Sequence, residues 1–222
     1  MDEAPVGDQV RSKTKYHHGD LRESLISAAY ELVCENGAEN FSLADACRSA
    51  GVSTAAPYKH FRDRDEILEE VAQRGFDDLA EQSMAAVAQA GQGTLAGIAA
   101  MGQAYVAFAV ENQALFRLMF GRRPQPKDAT LALEQGRACF GGVIEQVAHY
   151  CARNDVSGNA TDIAVRLWTF VHGAASLTID EDYVKVVDDF DVYRMVRDAT
   201  PLLLSANGTP SGAPPNRENR SA

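Results

Sequence analysis

The sequence of 222 residues predicts an all-α fold, a small N-terminal domain of three helices leading into a larger helical domain. Three observations carry that reading. Apolar residues recur at intervals of three and four through most of the chain, the period of an amphipathic helix. Capping residues such as Ser42 and Asp63 open those runs, and glycines such as Gly37, Gly51 and Gly91 close them. No run alternates convincingly with the period of a strand, and no segment repeats. The expected organisation is a flexible arm over 1–18, a first domain over 19–65, a second over 66–205, and a disordered tail over 206–222.

The arm has little apolar content. His17 and His18 are adjacent and lack the i,i+4 spacing of helical metal ligands, so they read as solvated. Arg11, Lys13 and Lys15 suit phosphates or a minor groove better, as homeodomain arms do. Asp20 is expected to cap the first helix. Leu21, Leu25, Ala28, Ala29, Leu32 and Val33 form its apolar stripe, and Asn36-Gly37 closes it. Ser42 then caps a second helix, with Asp45 three residues on in the capping-box position. Leu43, Ala46, Cys47 and Ala50 supply its buried face, and Phe41 and Ala46 are placed for a weak hydrophobic staple. Gly51 falls where a helix C′ residue takes φ > 0, and Val52 plugs the turn.

A short third helix follows, capped by Ser53 or Thr54 and carrying Tyr58, Lys59 and His60. Pro57 is tolerated in its first turn, where the missing N–H costs nothing. Phe41 and Phe61 are expected at the centre of the three helices. Asp63, with Glu66, opens a long fourth helix whose stripe of Ile67, Leu68, Val71, Phe76, Leu79, Met84 and Val87 runs on toward Gly91.

Leu95, Ile98, Met101, Tyr105 and Phe108 mark the next helix, and Leu115–Gly121 a short, very apolar one. Residues 122–128, with Pro124 and Pro126, read as a loop. Further helices are expected over 131–151, over 162–179 with Asp162 as cap, and over 190–204. Asp180-Glu181-Asp182 reads as a solvated connector in preference to a metal site.

The net charge is −10, and the first 75 residues already hold nine basic against fourteen acidic side chains. Any nucleic-acid surface must therefore come from placement rather than bulk charge, with modest, salt-dependent non-specific affinity. The acidic N-terminus has no apolar signal segment. The uncharged stretch 82–110 holds four glycines and several glutamines, and its most apolar part is shorter than the ~20 residues of a spanning helix. The four cysteines show neither metal nor disulfide-framework spacing and read as buried thiols.

A helix, a glycine turn and a short helix with exposed polar side chains have the layout of a helix-turn-helix, although that geometry has other uses. The register Leu43-Ala44-Asp45, Ala50-Gly51-Val52-Ser53 and Tyr58-Lys59-His60-Phe61-Arg62-Asp63-Arg64 resembles the DNA-binding motif of the TetR family of bacterial transcription regulators, over about residues 20–75. Trp168 to Gly173, with His172-Gly173, resembles the Trp-His-Gly class of that family's C-terminal domains, and Leu115–Gly121 fits it too.

The resemblance implies a cytoplasmic homodimer on a palindromic double-stranded operator, with Lys15, Ser42, Ser53, Thr54, Ala55, Tyr58, Lys59, His60 and Arg64 at the DNA. It implies that the last two long helices form the dimer interface. It also implies a small-molecule effector among the middle helices, for which Tyr105, Phe108, Phe116, Met119, Phe140, Trp168 and His172 are candidates, each of which would serve equally as core. No cofactor or metal is expected. No GxSxG, HExxH, paired CxxC or phosphate-cradling loop is present, and Gly91-x-Gly93 lacks a preceding strand, so catalysis is not expected. The competing reading is a helical dimeric adaptor or small-molecule binder that does not bind DNA. Lys59 and Arg64 argue against it.

Overall fold

The computed structural model describes residues 18–121 and 131–205. Lys15, the rest of the arm, the loop expected at 122–128 and the C-terminal tail lie outside the described residues. Within them the chain is all-α, with helices α1 (His18–Asn36), α2 (Leu43–Ser49), α3 (Arg64–Ala90), α4 (Leu95–Glu111), α5 (Gln113–Phe120), α6 (Leu131–Asn154), α7 (Ala160–Ile179) and α8 (Val192–Ser205). Single 3-10 turns cover Pro57–Lys59 and Tyr183–Lys185. No helix among the described residues is long and apolar enough to cross a membrane.

The glycine stops fall where the φ > 0 argument puts them. After α1, Gly37 has φ +83° and donates its N–H to the Val33 carbonyl at 2.9 Å. After α2, Gly51 has φ +67°. Its N–H reaches the Arg48 carbonyl at 3.2 Å, and the Val52 N–H reaches that of Cys47 at 2.9 Å. Those two bonds are the paired closure of a Schellman motif. Val52 then packs on the core from the turn. Ser42 accepts the Asp45 N–H at 3.2 Å, and Asp63 accepts the Glu66 N–H at 2.9 Å, so both expected N-caps are in place.

Three expected helix starts move. Asp20 sits inside the first turn of α1, which begins at His18. For α7 the cap is Asn159, whose side chain accepts the Thr161 N–H at 2.8 Å; Asp162 lies in the first turn, where its charge favours the dipole instead. The last helix begins at Val192 rather than Phe190. Asp189 stands at φ +55° and breaks the path, Phe190 stacks on Tyr183, and Asp191 accepts the Arg194 N–H at 3.0 Å in the cap position. The acidic connector after α7 is held by ion pairs, Asp180 with Arg117 at 2.9 Å and Asp182 with Lys185 at 2.7 Å.

The 27 residues of α3 make a rod about 40 Å long. It packs on α1 and α5 and against α4 and α6. One hydrophobic cluster runs from Leu25, Phe41 and Phe61 through Ile67 and Val71 to Phe108, Val171 and Val196, so the two parts of the chain share a core. A smaller cluster of Ile98, Val147, Ile163, Leu167 and Leu204 closes the far end. Burial pushes the thiols of Cys34, Cys47 and Cys139 up, the last to about 11, which leaves them protonated and poorly nucleophilic near neutrality.

A Cβ added at Gly51 meets no atom within 4 Å, so the cost of substitution there is the backbone's alone. Gly51→Val is expected to lose ~1–2 kcal/mol, whereas Gly51→Asn, whose side chain tolerates the left-handed region, loses clearly less. Equal losses in thermal melts of the two variants would show that the turn is limited by space, not by φ.

Candidate nucleic-acid interface and internal cavity

The exposed face of the first domain is built on the loop from Ser53 to His60. Pro57 and Phe61 are buried and anchor it, while Ser53, Thr54, Ala55, Tyr58 and Lys59 are exposed. Tyr58 stands 66 % exposed, an unusual setting for so large a side chain. The expected third helix is shorter than its sequence suggests. Most of its bonds run three residues back, from Ala56 to Ser53 at 3.0 Å, Lys59 to Ala56 at 3.3 Å and His60 to Pro57 at 2.8 Å, and only Phe61 to Pro57 at 2.9 Å runs four. Neither Ser53 nor Thr54 caps it; Ala56 holds that position without a side-chain bond. Pro57 has no N–H to extend a four-residue ladder backward, so a 3-10 turn results. His60 is half-buried, and its Nε2 is buried without a hydrogen-bond partner. Ser42 is also turned inward, its hydroxyl donating to the Asp45 carboxylate at 2.5 Å.

The basic side chains around this face divide sharply. Arg22 pairs with Glu70, its guanidinium 5.2 Å from the centre of the Phe61 ring. Arg62 pairs with Glu66 at 3.2 Å. Arg64 folds back over the α1–α2 loop, donating to the carbonyl of Phe41 at 2.9 Å and to that of Ala38, above the Phe41 ring. Lys59 is exposed and makes no ion pair or side-chain hydrogen bond among the described residues. Counting charges along the sequence does not reveal this division, because the partners lie on other elements.

Behind this domain, between α3, α4, α6 and α7, is a cavity of about 690 Å³. That lies within the range of small-molecule sites. Tyr105, Met119, Phe140 and Trp168 line it. The other three residues expected there do not reach its wall. Phe108 is fully buried in the core. Phe116 packs edge-on to Tyr105 at 5.7 Å between ring centres. His172 stands behind Tyr105, its Nδ1 2.8 Å from the phenol oxygen. Burial lowers the His172 pKa, so the ring is neutral near pH 7. Burial raises that of Tyr105, against the opposing pull of the Trp168 indole N–H.

Wall residues that sequence reasoning passes over come from α3 and α6, among them Glu69, Phe76, Ser83, Gly136 and Cys139. The α3 stripe reads as core because a cavity wall and a packed core have the same apolar period. The available sign is Gly136 and Gly142, two glycines inside a helix, where a side chain is missing from a buried face.

A helix-turn-helix carried on a long helix that runs on into a second helical domain is the layout of a DNA-binding transcription regulator. The comparisons agree. A family model described as bacterial regulatory proteins of the tetR family matches residues 25–71, and one described as a tetracyclin repressor-like C-terminal domain matches residues 98–199. The chain belongs to the TetR family of transcriptional regulators.

A solved protein of unknown function from Rhodococcus sp. RHA1 is 34% identical with a TM-score of 0.73, over 86% of this chain and 97% of that one. A protein of Mesorhizobium loti MAFF303099 assigned to the TetR family shares the fold at 15% identity and a TM-score of 0.67, over 88% and 100%. The TetR-family regulator PfmR of Thermus thermophilus shares it at 16% and 0.55, over 81% and 96%. None of the curated proteins matches the chain.

The half-buried His172 has a sign in pH. Its pKa is lower folded than unfolded, so the unfolded chain takes up the proton first and stability is lost as pH falls below about 6.5. His172→Phe is expected to melt lower at pH 7.5 but to show a flatter decline between pH 7.5 and 5.5. An unchanged slope would assign the decline to other groups.

Proposed function

We propose that the protein is a ligand-responsive repressor. It binds a palindromic operator as a homodimer and is released when a small molecule fills the cavity. The observation that carries this reading is that α3 does two jobs. Its first turns hold the helix-turn-helix, and its length forms one wall of the cavity. A ligand that shifts α3 at the cavity tilts a ~40 Å rod and moves the DNA-facing turn by several ångströms. Two such turns must stand about 34–36 Å apart to meet successive major grooves, so a movement of that size spoils the fit.

Exposed apolar side chains on α7 and α8 support a second copy as partner. Val165 and Leu177 on α7, and Tyr193 and Leu202 on α8, are all exposed, Leu202 at 70 %. Exposed apolar side chains on neighbouring helices are the kind of surface that a subunit interface covers. For DNA contact the reading keeps Lys15, Ser42, Ser53, Thr54, Ala55, Tyr58, Lys59 and His60. It gives Arg64 the task of holding the α1–α2 loop, since its guanidinium is engaged there.

That division is testable on two variants. Lys59→Ala is expected to weaken binding to DNA upstream of the protein's own gene and to lower the salt slope by about one, with an unchanged melting temperature. Arg64→Ala is expected to destabilise the fold by ~1–3 kcal/mol before it affects DNA. Absence of any gel shift by the unmodified protein would favour the helical adaptor that does not bind DNA.

Release is tested separately. Linkage requires saturating operator to weaken effector affinity by the same factor by which effector weakens operator affinity. Equal effector affinity with and without DNA would rule out induction, and tighter effector on DNA would make the ligand a co-repressor.

A further inference from the structure

Most of the cavity wall is apolar, yet Glu69 brings a carboxylate to it. Its Oε1 is buried and has no hydrogen-bond partner, and no ion pair reaches the residue among the described residues. Two other charged residues line the wall among the described residues. Asp65 is exposed and lies 3.5 Å from Arg64. Arg137 is exposed and open to water. An exposed charge needs no partner. A carboxylate oxygen shut away from water does, because its desolvation is uncompensated until a counter-charge arrives. The unsatisfied atom of this cavity is therefore a carboxylate oxygen, carried on a half-buried side chain.

The rest of the wall points the same way. Glu69, Phe76 and Ser83 recur every seven residues, two turns apart, so they share one face of α3 and mark a wall about 21 Å long. Phe76, Phe120, Tyr105, Phe140 and Trp168 bring aromatic rings to it. Aromatic faces attract cations, most strongly where water is excluded.

We infer that the cavity takes a lipophilic organic cation, with the charged head at Glu69 and an apolar chain lying along α3. The inference rests on the cavity being the effector site only for its consequence at DNA; the ligand class stands on Glu69 and the rings. The location also gives the cation leverage. The next residue, Glu70, holds Arg22 of α1, so a charge arriving at Glu69 acts within one residue of the contact that positions the helix-turn-helix.

The test uses decyltrimethylammonium below its micelle-forming concentration, with decanol and decanoate as neutral and anionic counterparts of the same chain. The readout is the emission of Trp168, the protein's single tryptophan, which lines the cavity. The intact protein is expected to bind the cation saturably and at least tenfold more tightly than either counterpart. Glu69→Gln is expected to lose about tenfold for the cation and to leave decanol unchanged.

No saturable response to the cation, equal or tighter binding of decanol or decanoate, or full cation affinity in the folded Glu69→Gln variant would each overturn the inference. The ranking of the three probes on the unmodified protein decides even if that variant does not fold. A cation that binds without changing DNA affinity would remove the effector role and leave the ligand class standing.

Discussion

The docking of α1 on α3 is the contact on which the rest depends. Three polar links span two turns of α3, Arg22 to Glu70, Arg74 to Glu23 and Ser27, and Tyr30 to Asp78 at 2.6 Å. Partly exposed pairs of this kind contribute roughly 0–1 kcal/mol each. The larger share comes from the apolar stripe beneath them, where Leu25, Ile26, Ala29 and Val33 meet Ile67, Leu68 and Val71, all buried. Each fully buried side chain of that size is worth ~1.5–3 kcal/mol. Burial therefore sets the strength of the docking. The polar links set its register, because they are directional and the stripe is not.

Successive residues of α3 face different partners as a result. Glu70 points to α1 and its neighbour Glu69 to the cavity, a division that follows from a helix turning about 100° per residue. Arg64, at the first position of the same helix, reaches back to the carbonyls that end the α1–α2 loop. The turn at Gly51 is thus fixed locally by its own hydrogen bonds and globally by α3, with no independent freedom of its own.

The helices themselves are legible in the sequence, and so are the stops at Gly37, Gly51 and Gly91, because periodicity and φ > 0 are local properties. Misplaced starts at Asp20, Asp162 and Phe190 share one cause. Several residues near each start can cap, and tertiary packing chooses among them, as the stacking of Phe190 on Tyr183 does. Sequence reasoning overestimates the third helix because it weighs Pro57 for what it permits in a first turn, not for the ladder it withholds. Arg64 reads as a charge free for DNA because its acceptors are a loop's carbonyls, which carry no sequence signal. Of the residues that the family resemblance implies for an effector, Tyr105, Met119, Phe140 and Trp168 line the cavity. Phe108, Phe116 and His172 lie behind the wall, since periodicity gives a face but not how deeply a side chain sits.

Under the proposed function, the single 3-10 turn at Pro57–Lys59 limits how much that element can read in each protomer. At about 2 Å per residue it presents roughly 6 Å of backbone, less than two base-pair steps of about 3.4 Å. Few base edges lie within reach of so short an element, so its information content is low. A genome offers ~10⁶–10⁹ competing sites. In the homodimer proposed above, discrimination on that scale comes from duplication, with two weak readings multiplied by a rigid spacing between them. The fidelity of such a regulator then resides less in its contact residues than in the stiffness of the scaffold that holds them apart.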